Sequence, residues 1–314
     1  MSGSSCISGG MGEEEQTSGT VLMVRPAAFG FHAEAARSNA FARPAEVDAG
    51  AALREFEGLA EGLDRAGIEV LVLEDKPGPA KPDAVFPNNW VSFHGDGTMV
   101  LYPMATDARR LERDVPGVRA LLEASGFAIR RTVDLSGMEA DGRFLEGTGS
   151  LILDRPRRRA FANVSARTDP LAVAGFDEQL GFSTFLFDAR DRSGQPIYHT
   201  NVLLSLGTEF AVLCTDVVPE DQRARLKAAL QEDRMLIEVD HEQMRQFACN
   251  IIQLKGRGGP VLAMSSAARR SYRPEQRRML ERFGELGDAD IPTIEQIGGG
   301  SVRCMIADVH LPRR

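Results

Sequence analysis

Cysteine is scarce and scattered in this chain. Cys6, Cys214, Cys249 and Cys304 form no Cys-x-x-Cys pair or other metal-type spacing. Their separation argues against a bound metal and suits free thiols in a reducing cytoplasm, the expected location. Positive charge is also short. The 37 Lys and Arg against 45 Asp and Glu leave a net charge of -8, which argues against nucleic acid or a membrane surface as the main partner. No apolar run is long enough to span a bilayer, and the start lacks the charged-then-apolar order of a signal peptide. No linker interrupts residues 20–314, so one domain is expected there. Residues 1–19, rich in Gly, Ser and Glu, read as a disordered tail. What is left is an ordinary globular composition, 43% hydrophobic and 26% charged.

Within that composition the chain has a rhythm. Paired apolar strands alternate with amphipathic helical stretches about five times. Val85–Phe93 and Thr98–Tyr102 flank an Asp96-Gly97 turn, a strong hairpin signal, with a helix over Ala108–Glu123 and a strand near Ala128–Asp134. Gly149–Leu153 with Arg159–Val164, Val202–Leu206 with Phe210–Cys214, and Ile251–Lys255 with Val261–Met264 repeat the pair. Helices follow each of these over Leu171–Leu180, Glu220–Glu232 and Pro274–Phe283. Thr20–Arg25, the helix Val47–Ala66 and a C-terminal strand Val302–Leu311 supply the last unit. The fold class expected is α/β, with strand-strand-helix-strand units arranged around an axis in a propeller-like ring that the first and last strands close.

Five segments carry candidate chemistry. Gly298-Gly299-Gly300 precedes Cys304, and a glycine run marks a close approach of backbone, here expected toward a ligand. Cys304 reads either as a nucleophile on a rigid element or as a small buried hydrophobe. Asp83 and Asn88-Asn89 lie beside the only tryptophan, Trp90, as binding groups or as local turn residues. Glu146 stands before Gly147-Thr148-Gly149, an odd place for a surface charge, and His199 holds the matching position of the next hairpin. Ser165-Ala166-Arg167 ends a strand as an anion clamp or a solvated surface. If the units surround an axis, Asp83, Glu146, His199, Asn250 and Cys304 converge from different repeats. A thiol needs a base or cation to become a nucleophile, and an imidazole needs an orienting acceptor.

Together, Asp83-Ala84-Val85-Phe86-Pro87-Asn88-Asn89-Trp90, Leu145-Glu146-Gly147-Thr148-Gly149-Ser150, His199-Thr200-Asn201 and Gly299-Gly300-Ser301-Val302-Arg303-Cys304 resemble the amidinotransferase and arginine deiminase superfamily. The resemblance to these guanidine-modifying enzymes runs from about Val21 to Pro312 and is greatest toward the citrulline-hydrolase branch. It implies a pseudo-fivefold β/α propeller (pentein) with a central active site and no metal or organic cofactor. It also implies Cys304 as nucleophile, His199 as general acid and base, and Glu146 as the partner of His199. Asp83 then binds ureido or guanidino nitrogens, Arg167 clamps the substrate α-carboxylate, and Asn88 and Asn250 line the site. The partner implied is a small amino acid, and a homodimer is compatible with such a ring. Arginine deiminases typically carry His-x-Asp where this chain has His199-Thr200-Asn201. An amide offers a donor and an acceptor, which suits a neutral ureido group better than a donor-only guanidinium. The expectation is therefore hydrolysis of L-citrulline, with arginine deiminase, dihydrolase or amidinotransferase activity as the alternatives. A non-catalytic binding module of the same fold is the remote one. The direction taken by Arg303, beside the nucleophile, is left open.

Overall fold

The computed structural model describes residues 14–45 and 48–314. Among them, fifteen strands form five three-stranded sheets. β1 (Thr20–Arg25) and β2 (Glu69–Glu74) pair in parallel across the helix Ala49–Arg65. β3 (Val91–Phe93), β4 (Thr98–Leu101) and β5 (Arg131–Asp134) form the second sheet, and β6 (Ile152–Asp154), β7 (Arg159–Asn163) and β8 (Ser183–Phe187) the third. β9 (Leu204–Leu206), β10 (Phe210–Cys214) and β11 (Met235–Val239) form the fourth, and β12 (Ile252–Gly256), β13 (Gly259–Ser265) and β14 (Glu285–Ala289) the fifth. β15 (Ala307–Asp308) returns to lie antiparallel to β1. In every sheet the first pair is antiparallel and the third strand, reached through helix, is parallel to the middle one. A parallel neighbour requires a crossover, and a helix is the usual one.

The middle strands show why the units associate. Side chains alternate between the two faces of a strand. On β1, Val21 and Met23 enter a cluster with Leu254, Val261 and Ala263 of the fifth sheet, whereas Leu22 and Val24 join Val91, Phe93 and Met99 of the second. On β4, Met99 and Leu101 face the first sheet, and Val100 packs with Leu153, Ala160 and Ala162 of the third. A further cluster joins Phe161 of the third sheet, Val212 of the fourth and Leu262 of the fifth. Each sheet thus shares apolar side chains with the sheets before and after it, and the fifth shares them with the first.

Four expected strand starts are helical turns instead. Pro87–Asn89, Gly147–Ser150, Thr200–Val202 and Val302–Met305 each make one turn before the first strand of their unit. Pro87 has no N–H and a fixed φ, which fits the first position of such a turn, and its carbonyl accepts from Trp90 N at 3.1 Å. Cys304 therefore sits on a helical turn, and the C-terminal strand shrinks to Ala307–Asp308. The helix expected from Val47 begins at Ala49, capped by Asp48 accepting from Gly50 N, and Val47 itself lies outside the described residues.

The tail expected over 1–19 is packed from Glu14 onward, and residues 1–13, with Cys6, lie outside the described part. Arg155, in the turn between β6 and β7, donates to Glu14 Oε1 at 2.6 Å, Phe93 O at 3.1 Å and Asp308 Oδ2 at 2.9 Å. One buried guanidinium therefore ties this leading segment to three sheets. Removing a partner of a buried charge costs about 3–5 kcal/mol, and Asp308 remains to hold Arg155. Glu14→Gln is expected to lower stability by about 3 kcal/mol, the bottom of that range, in urea denaturation. A midpoint equal to that of the parent chain would contradict this role.

Candidate active site

All the predicted residues except Arg167 stand where a unit begins. Asp83 and Asn88 precede β3, Glu146 precedes β6, His199 and Asn201 precede β9, Asn250 precedes β12, and Cys304 precedes β15. The turn Gly147–Ser150 packs on both Pro87–Asn89 and Thr200–Val202, while Pro87–Asn89 also packs on Val302–Met305. Glycine makes this packing possible. Gly147 has φ +48°, and a Cβ there would lie 2.2 Å from Asn88 O. A Cβ on Gly149 would lie 2.5 Å from Asn89 Nδ2 and 2.8 Å from the His199 ring. The run Gly298-Gly299-Gly300 is close to protein groups rather than to an open ligand site. Its first and third members meet the Phe86 ring, and Gly299 meets Ala42 and Asn39.

Glu146 is fully buried, and its Oε2 lies 2.8 Å from His199 Nε2 and 3.1 Å from Arg167 Nη1. Arg109 Nη1 stands 3.5 Å from the same oxygen, and Ala105 N donates to Oε1 at 3.1 Å. Burial opposes ionisation of Glu146, but the charge of Arg167, the bond from His199 and the charge of Arg109 together hold it well below the usual carboxylate range. Because two arginines already balance that carboxylate, the imidazole meets little net negative charge. Burial depresses His199 to about 4, with Glu146 opposing, so the neutral ring is the resting form at pH 7. The bond to Glu146 fixes Nε2 as the protonated nitrogen and leaves Nδ1 as the basic one.

Cys304 is buried, at 3% exposure, and its sulfur lies 3.3 Å from both Asn201 Nδ2 and Asn250 Nδ2. Asp83 Oδ2 is 2.7 Å from His32 Nδ1 and 3.9 Å from Arg109 Nε. Arg167 extends differently from the expected carboxylate clamp. Besides Glu146 it donates to Ser38 Oγ at 2.9 Å and to Ala35 O at 2.6 Å, and it lies over the Tyr198 ring. Arg303 donates to Ile306 O at 2.7 Å and Asp308 Oδ1 at 3.2 Å, so its guanidinium is not committed to the thiol.

The sequence reading did not single out Arg109 or His32. Arg109 bonds Glu112 through two nitrogens, at 3.0 and 2.9 Å, and donates to Asn89 Oδ1 at 2.7 Å. Burial pushes the Glu112 carboxyl upward against the pull of Arg109. No local signal separates Arg109 from Arg110 and Arg113 beside it. Among the described residues no group of three or more His, Cys, Asp or Glu side chains is placed to hold a metal, and no helix is long and apolar enough to cross a membrane.

A buried carboxylate, an imidazole and two guanidinium groups thus meet at the same set of unit starts that also carries a buried thiol between two amides. The family model for eukaryotic N,N-dimethylarginine dimethylhydrolase matches residues 25–311. The chain belongs to that family. Its superfamily is that of the guanidine-modifying enzymes. Among solved structures, the arginine dihydrolase ArgZ from the ornithine-ammonia cycle in cyanobacteria is similar at TM-score 0.74 and 17% identity, covering 94% of this chain and 41% of that one. The chain thus spans about two fifths of full-length ArgZ. The N-terminal domain of ArgZ, as a cysteine-to-serine variant bound to substrate, matches at TM-score 0.73 and 17% identity over 92% of this chain and 97% of that one. A cysteine-to-serine variant of DDAH from Pseudomonas aeruginosa, in complex with citrulline, matches at TM-score 0.67 and 16% identity over 93% and 99%. No match was found among the curated proteins.

The pH behaviour of a family member with a neutral resting imidazole follows with a definite sign. His199 becomes protonated only when the pH falls through about 4. Activity per free enzyme, kcat/KM, is expected to hold from pH 7 to about pH 5 and to fall below that, with circular dichroism confirming the fold at each pH. An acid limb near the ordinary histidine value, about 6.5, would contradict the environment described.

Proposed function

We propose that the chain hydrolyses the ureido C–N bond of L-citrulline, giving ornithine, ammonia and carbon dioxide. The observation that carries this reading is a pair of buried amide atoms without partners among the described residues, Asn88 Nδ2 and Asn201 Oδ1. The identity of the first is fixed by a chain of bonds. Arg109 has only donors, so the Asn89 atom facing it at 2.7 Å is the oxygen. Asn89 then turns its NH2 to Asn88 Oδ1, 2.9 Å away, which leaves the Asn88 NH2 over. Asn201 spends its NH2 on Cys304 and keeps its oxygen. One spare donor and one spare acceptor match a ureido group, which has a carbonyl and an NH2. A guanidinium has no acceptor and would leave Asn88 Nδ2 buried and unpaired, at about 1–3 kcal/mol, roughly 5- to 150-fold in binding.

The chemistry follows from the same positions. The Cys304 thiol gives its proton to neutral His199 and its sulfur attacks the ureido carbon. The imidazolium protonates the departing amine, so ornithine leaves and a carbamoyl thioester remains on Cys304. His199 then takes a proton from water, and the hydroxide releases carbamate, which decays to ammonia and carbon dioxide. Asp83 holds the ureido nitrogens, and Glu146 keeps the imidazole in place. Cys304, His199 and Asp83 are all buried, so a substrate reaches them only by displacing protein groups. The Arg167 bonds to Ala35 and Ser38 are the first that a substrate carboxylate would replace. The same reading takes residues 20–314 as one catalytic domain, with Glu14–Gly19 packed against it, and the five sheets as a closed ring. The apolar clusters that run from each sheet to the next and from the fifth to the first support that ring.

Purified chain given L-citrulline, L-arginine and N,N-dimethylarginine in parallel tests the substrate. Ornithine from citrulline, absent with Cys304→Ala, is expected. Citrulline formed from either guanidino substrate, with no ornithine from citrulline, would overturn the reading. Asn88→Ala, which removes the spare donor, is expected to lower kcat/KM for citrulline by about 10- to 100-fold. A loss below threefold in a folded variant would remove Asn88 from substrate recognition.

A further inference from the structure

We propose that Asn250 is a catalytic residue whose amide N–H holds the Cys304 sulfur as a thiolate, with Asn201 as the second donor. This rests on Cys304 as the nucleophile but not on the identity of the substrate. The orientation of Asn250 is settled by its neighbours. Arg303 N–H donates to Asn250 Oδ1 at 3.1 Å, so the NH2 must turn the other way, where it meets Asn201 O at 3.0 Å and Cys304 Sγ at 3.3 Å. Asn250 is fully buried, and three contacts leave its amide no freedom to swing away.

The sulfur accepts no hydrogen bond from a charged group, and the Arg303 guanidinium, bonded to Ile306 O and Asp308, acts on it through charge alone. Among the described residues its hydrogen-bond partners are the two asparagines alone. The ionisable groups of the site are committed elsewhere. His199, Arg109 and Arg167 meet at Glu146, Asp83 faces His32, Tyr198 donates to Gly299 O, and Arg303 reaches Asp308. A thiolate here is therefore stabilised by the hydrogen bonds that the two amides give to its charged form. The same amide serves the protonated sulfur, since the thiol reaches Asn250 Oδ1 at 3.6 Å. Deprotonation exchanges a long bond given by the sulfur for a shorter one received, with no side-chain movement. A neutral donor also fits a neutral substrate, because it activates the nucleophile without adding a cation beside the ureido carbon. At position 201 an aspartate would place a carboxylate against the sulfur and oppose ionisation.

The test is the pH dependence of iodoacetamide alkylation, without substrate, on the parent chain and on Asn250→Ala, Asn250→Asp and Asn201→Asp. Peptide mass spectrometry separates Cys304 from the other cysteines. Asn250→Ala is expected to raise the midpoint by about one unit and slow alkylation at pH 7 about tenfold. Asn250→Asp, which keeps an acceptor for Arg303 N–H, is expected to raise it further through carboxylate repulsion. If the alanine variant folds poorly, the aspartate variant decides alone. Variants that melt like the parent and alkylate with the parent midpoint would overturn the proposal. Since no substrate is used, failure to hydrolyse citrulline leaves this result standing, and the reverse holds too.

Discussion

An ionised carboxylate without solvent, Glu146, is the constraint on which the site depends. Leaving water costs such a group several kcal/mol unless partners surround it. Here Arg167, Arg109, His199 and the Ala105 N–H do so, three of them at the single oxygen Oε2 or close to it. Each partner also holds something else. Arg167 reaches Ala35 and Ser38, Arg109 reaches Asn89 and Glu112, and His199 precedes the turn that carries Asn201. The segment with Ala35 and Ser38, the Asn89 amide and the His199 ring are thus fixed by one charge. The two arginines also leave the imidazole neutral, which is what a proton acceptor for a thiol requires.

The second constraint is geometric. The middle strand of each unit alternates apolar side chains between two neighbours, which brings the starts of successive units together. Those starts are short helical turns rather than strands, and a turn presents its side chains and free backbone groups at a point. Asn88, Glu146, Asn201 and Cys304 all stand on or beside such turns. Precision there comes from glycines that let one turn sit against the next, as Gly147 does against Asn88 O.

Much of this is legible in the chain. β1 and β10 coincide with Thr20–Arg25 and Phe210–Cys214 because continuous apolar residues between turn signals leave little choice. The candidate catalytic positions show through their motifs, each a reactive residue beside glycine, proline or asparagine at a unit's start. The turns themselves do not show, since Val, Thr and Cys in them read as strand while local backbone bonds decide otherwise. The parallel third strands are harder still. β14, Glu-Leu-Gly-Asp-Ala, has little strand character, and its neighbour β13 holds it in place. Arg109 and His32 escape for another reason. Their partners Asn89 and Asp83 lie 20 and 51 residues away, and nothing in the local sequence records those meetings. Glu14 looks like tail by composition and is ordered by one distant arginine.

The central claim is that Cys304 takes a carbamoyl group from a ureido substrate while His199, held by Glu146, moves the proton. Rapid acid quenching of the protein during turnover of L-citrulline, followed by mass spectrometry of the Cys304 peptide, tests it most directly. The account predicts a carbamoyl group on Cys304 that appears before the steady state and is absent without substrate. An unmodified Cys304 peptide during rapid ornithine release, or the same group found on another residue, would contradict it.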